Sequence, residues 1–216
     1  MNTKKIINLI IDELEGGYYH PDMKDKLRGG ENMGISGETM FGIDRKNGGS
    51  DVTTSDAGKK FWDVVDANWS DKHGNTHYYN DKADGTKTPA AVGKLLRELV
   101  AILINNRFKK YSQYFDAPVL QIVKNNPALM LQFLYACWNG SGNFQNFAKV
   151  LNNAFKNGER DLEKYFELVN QARRNKGGLF IKQADILDDL KNKVKSSNYW
   201  LWLLGGAFGL YLILKK

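Results

Sequence analysis

The sequence predicts a mainly α protein (α+β) with one small β-region, followed by a separate apolar helix at the C-terminus. Three observations carry this prediction. Apolar residues recur at helical spacing through most of the chain. Glycines crowd into the stretch between residues 29 and 49, where that spacing is lost. The last residues hold an uncharged run that leaves no polar face for water.

The first helix is set by Ile6, Ile7, Leu9, Ile10, Ile11 and Leu14, and Gly16-Gly17 stops it. Glu15 is then its last residue. Residues 18–50 have turn and hairpin chemistry, punctuated by Gly29-Gly30, Gly34, Gly37, Gly42 and Gly48-Gly49, with 38–44 (ETMFGID) the most strand-like part. Ser55 caps the next helix, whose apolar side carries Phe61, Trp62, Val64, Val65 and Trp69. The polar residues 70–87 form a surface loop. Thr88-Pro89 starts a helix through Leu95, Leu96, Leu99, Val100, Leu103 and Ile104 to Phe108, expected to be central and buried. Further helices are expected at 117–124, 127–138, 143–155, 159–174 and about 180–195. No internal repeat is apparent.

Residues 199–214 (YWLWLLGGAFGLYLIL, from Tyr199 to Leu214) carry no charge and are followed by Lys215-Lys216. As a helix this run reaches about 24 Å, a little short of the roughly 30 Å hydrocarbon core. Trp200 and Trp202 at one end and the lysines at the other are interfacial anchors that let a short span work. Gly205 and Gly209 give a small-residue face for another helix. The expected organisation is therefore a folded domain over 1–195 and a membrane anchor over 196–216. The competing reading docks the same helix on the domain's own core.

Composition narrows the function classes. With 216 residues, 42% hydrophobic and 25% charged, the chain has material for a core, and wholesale disorder is excluded. A net charge of +7 favours polyanionic partners. The basic pairs Lys4-Lys5, Lys59-Lys60, Lys109-Lys110 and Arg173-Arg174 are dispersed, so no nucleic-acid-binding arm is expected. The single Cys137 excludes an intrachain disulfide and sits in an apolar run as a small core residue. His73 and His77 are separated by Gly74-Asn75-Thr76, which spoils a helical metal face. Neither a metal nor an organic cofactor is expected. Asn8, Asp12 and Glu13 interrupt the first apolar run, so no signal peptide is expected either.

Glu15 is the candidate for chemistry. The C-terminal end of a helix disfavours an anion, and partial burial adds to that, so both raise the pKa of an acid placed there. A carboxyl still protonated near neutrality can act as a general acid. The bland alternative is a solvated glutamate that merely precedes a glycine stop.

Three segments stand beside each other in chemical character: Glu15-Gly16-Gly17-Tyr18, then Thr39-Met40-Phe41-Gly42-Ile43, then Trp138-Asn139-Gly140-Ser141-Gly142. Taken in this order they resemble the glycoside hydrolase family 108 muramidases, phage-type enzymes of the lysozyme superfamily. Phe61-Trp62 and Trp69 resemble the aromatic helix that follows the hairpin there. The likeness covers about residues 3–155; residues 24–33 and 70–87 look like enlarged loops. It implies a lysozyme-like domain that cleaves the β-1,4 bond between N-acetylmuramic acid and N-acetylglucosamine in bacterial peptidoglycan. It makes Glu15 the catalytic acid, and Tyr18, Glu38, Thr39, Trp138 and Asn139 candidate substrate-binding residues. Glycosidases often use a second carboxylate; Asp22, Glu38 and Asp44 are the candidates, although a carboxylate in such a place is more often a solvated turn residue. Trp138 is equally core filler, and Asn139 a helix C-cap.

With the apolar tail, the expected setting is a virion membrane or host envelope, with other virion or membrane proteins as further partners during infection or lysis. The alternatives are a lytic transglycosylase on the same substrate, a non-catalytic glycan-binding structural protein of a virion, and a holin-like protein in which the apolar helix does the work.

Overall fold

The computed structural model describes residues 2–15, 18–19, 39–69 and 90–194. These form a mainly helical protein with a small antiparallel sheet. Helix α1 (Thr3–Glu13) starts at Asn2, whose side chain accepts the Lys4 amide at 2.9 Å. Its spacing places Ile6, Ile7, Ile10 and Ile11 on one face, all fully buried. The helix closes at Leu14, and the Glu15 amide still reaches the Ile10 carbonyl at 3.1 Å. Glu15 is thus just past the helix end, which comes two residues earlier than predicted.

The sheet comprises β1 (Tyr18–Tyr19), β2 (Thr39–Met40) and β3 (Ile43–Asp44), in that spatial order. Tyr18 pairs with Met40, and Met40 with Ile43. Between β2 and β3 the loop is two residues, Phe41 (φ 51°) and Gly42 (φ 69°). Both have positive φ, the type I′ geometry whose twist suits a hairpin. The hairpin lies within the predicted segment. The third strand, β1, was not anticipated, because two tyrosines after a glycine pair give no alternation to detect.

Helix α2 (Asp51–Thr54) leads into α3 (Asp56–Trp69), where the Ser55 hydroxyl accepts the Gly58 amide at 3.0 Å as the expected cap. Helix α4 (Ala90–Tyr111) packs on α1, α3 and α6 (Pro127–Ala136), with α5 (Ala117–Asn125) beside α6. Helices α7 (Ser141–Lys156), α8 (Leu162–Arg174) and α9 (179–194) complete the described residues.

The central helix is α6, not α4 as the sequence predicted. Every residue from Ala128 to Cys137 is buried. On α4, Ile102 is 48% exposed and Lys109 and Lys110 face solvent. The physical reason is charge: α4 carries Lys94, Arg97, Glu98 and Arg107 among its leucines, whereas α6 holds no charged residue and can be surrounded. Phe133 of α6 meets Phe115 and Phe144 edge-to-face at 4.7 and 5.1 Å between centroids. Phe144, Phe147, Ala148 and Leu151 bring one face of α7 to the same core. Truncating a ring such as Phe133 to alanine there costs about 3–5 kcal/mol.

Helix α8 begins at Leu162 rather than at Glu159. Asp161 caps it by accepting the Glu163 amide, and the Glu159 carbonyl is taken by the Tyr165 hydroxyl. Among the described residues no helix is long and apolar enough to cross a membrane. The predicted anchor from Tyr199 to Leu214 lies outside the described residues.

Candidate active site

Where α1 ends, its last buried turn delivers Glu15 against the hairpin. The contact is close: a Cβ built on Gly42 would overlap Oε2 and Cδ of Glu15 and come within 2.9 Å of its Cγ. Gly42 is therefore required twice, for its positive φ and for the space the carboxyl occupies. From the other side the Tyr135 hydroxyl of α6 hydrogen bonds the same carboxyl.

This enclosure sets the chemistry of the acid. Burial pushes the Glu15 pKa from 4.5 up to about 8, and the Tyr135 hydrogen bond pulls part of the way back. Glu15 therefore holds its proton at neutral pH, and burial is the leading cause. The residue keeps partial exposure. It is a neutral carboxylic acid at the edge of the core.

The hairpin is held in place from α6. Trp138 Nε1 donates to the Phe41 carbonyl at 3.0 Å, and the Tyr135 and Trp138 rings lie 6.4 Å apart. Phe41 is buried with a left-handed backbone, rare for a bulky residue, and its ring faces the Arg97 guanidinium at 5.3 Å. Behind the hairpin, Arg107 of α4 is nearly fully buried. It pairs with both Asp51 oxygens at 2.7 and 2.9 Å, donates to the Gly48 carbonyl, and donates to the Cys137 carbonyl at 3.1 Å. One cation thus ties the loop after the hairpin to the end of α6.

The sequence-predicted residues distribute as follows. Glu15, Trp138 and the 39–43 turn come together, as do Asn139 and Tyr135: Asn139 Nδ2 reaches the Tyr135 carbonyl at 3.3 Å, and its side chain hydrogen bonds the phenol. Thr39 is half-buried in β2 opposite Asp44. Asp44 is engaged in its own turn, accepting the Lys46 and Asn47 amides at 2.7 Å each, so it serves as a loop cap. Tyr18 contributes the β1 backbone beside Met40. Glu38 and Asp22 lie outside the described residues, as do His73 and His77. Trp138 has its N–H committed to the hairpin, which makes it at least a clamp.

Sequence reasoning missed Tyr135, Gly42's contact and Arg107. Tyr135 was detectable in principle: it lies three and four residues before Trp138 and Asn139, hence on one helix face. Cys137 is buried with its thiol donating to the Phe133 carbonyl at 3.3 Å, and burial pushes its pKa far up, so it is no nucleophile. Among the described residues no group of His, Cys, Asp or Glu is placed to hold a metal. No protein-family model, curated protein or solved structure matches this chain.

Proposed function

We propose that the protein is a muramidase of the glycoside hydrolase family 108 type, with a lysozyme-like domain in which Glu15 is the general acid. The observation that carries this reading is the neutral Glu15 carboxyl, enclosed between Gly42 and Tyr135 and raised to about pKa 8. Glycosidic cleavage needs such a proton donor at the leaving oxygen. Loss of that proton to the sugar oxygen leaves a carboxylate that Tyr135 can stabilise by its hydrogen bond. By the family resemblance, Thr39 on the hairpin and Asn139 at the end of α6 are the polar groups that would hold substrate or water.

A second reading is lytic transglycosylase, which needs no second carboxylate; the turn bonds of Asp44 take one of the three candidates, with Asp22 and Glu38 outside the described residues. A single glutamate then acts as acid and afterwards as base, deprotonating the muramic 6-hydroxyl so that it closes an anhydro ring. The uncharged run 199–214 supports a membrane-anchored setting.

Digestion of purified peptidoglycan followed by mass spectrometry of the muropeptides tests the proposal. Reducing muramic ends mean hydrolysis and anhydro ends mean transglycosylation. Glu15→Gln is expected to abolish both while the fold survives; wall clearing at the wild-type rate by this variant ends the proposal. A chain lacking residues 197–216 is expected to stay active on purified wall and to lose its binding to lipid vesicles; if it loses wall activity instead, the tail is part of the working domain.

A further inference from the structure

Arg173 of α8 is fully buried, with no exposed surface at all. Its guanidinium lies between two aromatic rings, with Cζ 5.3 Å from the Tyr135 centroid and 4.7 Å from that of Phe147. Its hydrogen bonds go to one residue: Nη2 donates to Gln132 Oε1 at 3.1 Å and to the Gln132 carbonyl at 3.4 Å, while Nε and Nη1 have no partner. A buried cation with two unsatisfied donors is expensive to maintain for packing alone. Its surroundings are built around it. Gln132 Nε2 donates to Asn170 Oδ1 at 2.8 Å, and Asn170 Nδ2 donates to the Ala184 carbonyl and to Asp188 Oδ1 at 2.9 and 2.7 Å. Asp188 in turn pairs with Arg174. This chain fixes Gln132, and Gln132 fixes Arg173 against the Tyr135 ring.

The hydroxyl of that ring is the group that hydrogen bonds the Glu15 carboxyl. We propose that Arg173 is a positioning residue for the acid, acting through Tyr135: the buried cation holds the phenol and strengthens its donation to the Glu15 carboxyl.

A cation beside a phenol makes its O–H more acidic and so a better donor. A better donor favours the carboxylate that remains once Glu15 has given up its proton. Burial and the Glu15 charge hold the Tyr135 hydroxyl well above its ordinary range, and the Arg173 charge works against them; Tyr135 in turn raises Arg173, and its hydrogen bond lowers Glu15 against the larger effect of burial. Burial lowers Arg173 itself only to about 10, so it remains charged at neutral pH. The other charged groups around this end of α1, among the described residues, engage one another. Asp12 pairs with Arg97 of α4, Glu13 with Lys193 of α9, and Asp44 of the hairpin closes its own turn. Tyr135 is the group through which Arg173 reaches the acid.

The inference takes the acid role of Glu15 from the proposed function, but its test does not depend on enzymatic turnover. The carboxyl carbon of Glu15, assigned by its loss in Glu15→Gln, is titrated by NMR in four full-length proteins: wild type, Tyr135→Phe, Arg173→Met and the double variant. The wild-type midpoint is expected near 8. Removing the phenol donor should move it upward, and Arg173→Met should move it upward by at least about half a unit. In the double variant Arg173→Met should add nothing to Tyr135→Phe, because the path to Glu15 is already cut. The alkaline limb of any peptidoglycan-cleaving activity should follow the same midpoints. An unchanged midpoint in Arg173→Met, or a shift that simply adds in the double variant, overturns the proposal. If Arg173→Met does not fold, Arg173→Gln is read in the same way, with Arg173→Lys as the charge-retaining control expected to keep the wild-type midpoint. Wall clearing by Glu15→Gln at the wild-type rate would sink the muramidase reading and leave this titration standing.

Discussion

Replacing Glu15 by glutamine isolates the free energy stored in its enclosure. A carboxyl whose folded pKa lies above its unfolded value binds more protons when folded than when unfolded between those two values. Stability contributed by Glu15 is therefore fully present below about pH 4.5 and is lost as pH rises through about 8. Carrying the group from 4.5 to about 8 corresponds to about 5 kcal/mol at the alkaline limit. At pH 7, where the folded acid is still mostly protonated but the unfolded one is ionised, about 3 kcal/mol of this is already gone. Glutamine keeps the size and an acceptor for Tyr135 but has no proton to lose. Urea unfolding of both proteins at pH 4, 5.5, 7 and 8.5 should show nearly parallel behaviour at acid pH and a growing advantage for Glu15→Gln above it. The advantage should reach about 3 kcal/mol at pH 7, a displacement of the midpoint by about 1 M. All other titrating groups are common to the two proteins, so the difference belongs to Glu15. A constant difference between pH 4 and 8.5 would mean that Glu15 titrates as an ordinary surface acid, and the case for a neutral proton donor would collapse with it.

Two further substitutions probe the wall that encloses the acid. Gly42→Ala puts a methyl group where the Glu15 carboxyl lies and forces a side chain onto a φ of 69°, so a loss of at least about 1 kcal/mol in stability and a displaced acid are expected; thermal melting and peptidoglycan turnover measure the two, and wild-type values in both would show that the turn yields freely. Trp138→Phe removes the N–H that holds the Phe41 carbonyl together with part of the ring, so it should cost about 1–3 kcal/mol and speed amide exchange most in the 39–44 hairpin, with little change in α6. Equal acceleration in α6 would make Trp138 a core residue rather than a clamp.

How much of this was legible in the sequence depends on whether the physics was local. The apolar stripe of α1 and the Ser55 cap are each decided by residues within a few positions, and each was found; the hairpin region was found too, but 38–44 read as its most strand-like part, whereas Phe41-Gly42 within it form the turn. The centre of the protein was misplaced for the same reason. A long leucine-rich helix outweighed a short one by pattern, although only the short α6 lacks charges and can be surrounded. The site divides along the same line. Glu15 was visible because a carboxylate before Gly16-Gly17 at a helix end is odd by itself. Of its two expected causes, the helix end and partial burial, burial is the one that raises it, and what buries the carboxyl was not local: Gly42 lies 27 positions later and Tyr135 120 positions later. Arg173 was invisible, since a basic pair at the end of an amphipathic helix has the composition of a solvated helix terminus. Yet Arg174 does face solvent and pairs with Asp185 and Asp188, while Arg173, one residue earlier, turns inward by the 100° that separates helix neighbours. Sequence pattern assigns a charge to the surface by default, and a cation on the buried face contradicts that default at a measurable cost. Exceptions of this kind concentrate where a fold tunes a group for chemistry. Arg173 is buried, half-satisfied and one ring away from a neutral acid, which is why Glu15 is better understood from α8 inward than from its own helix.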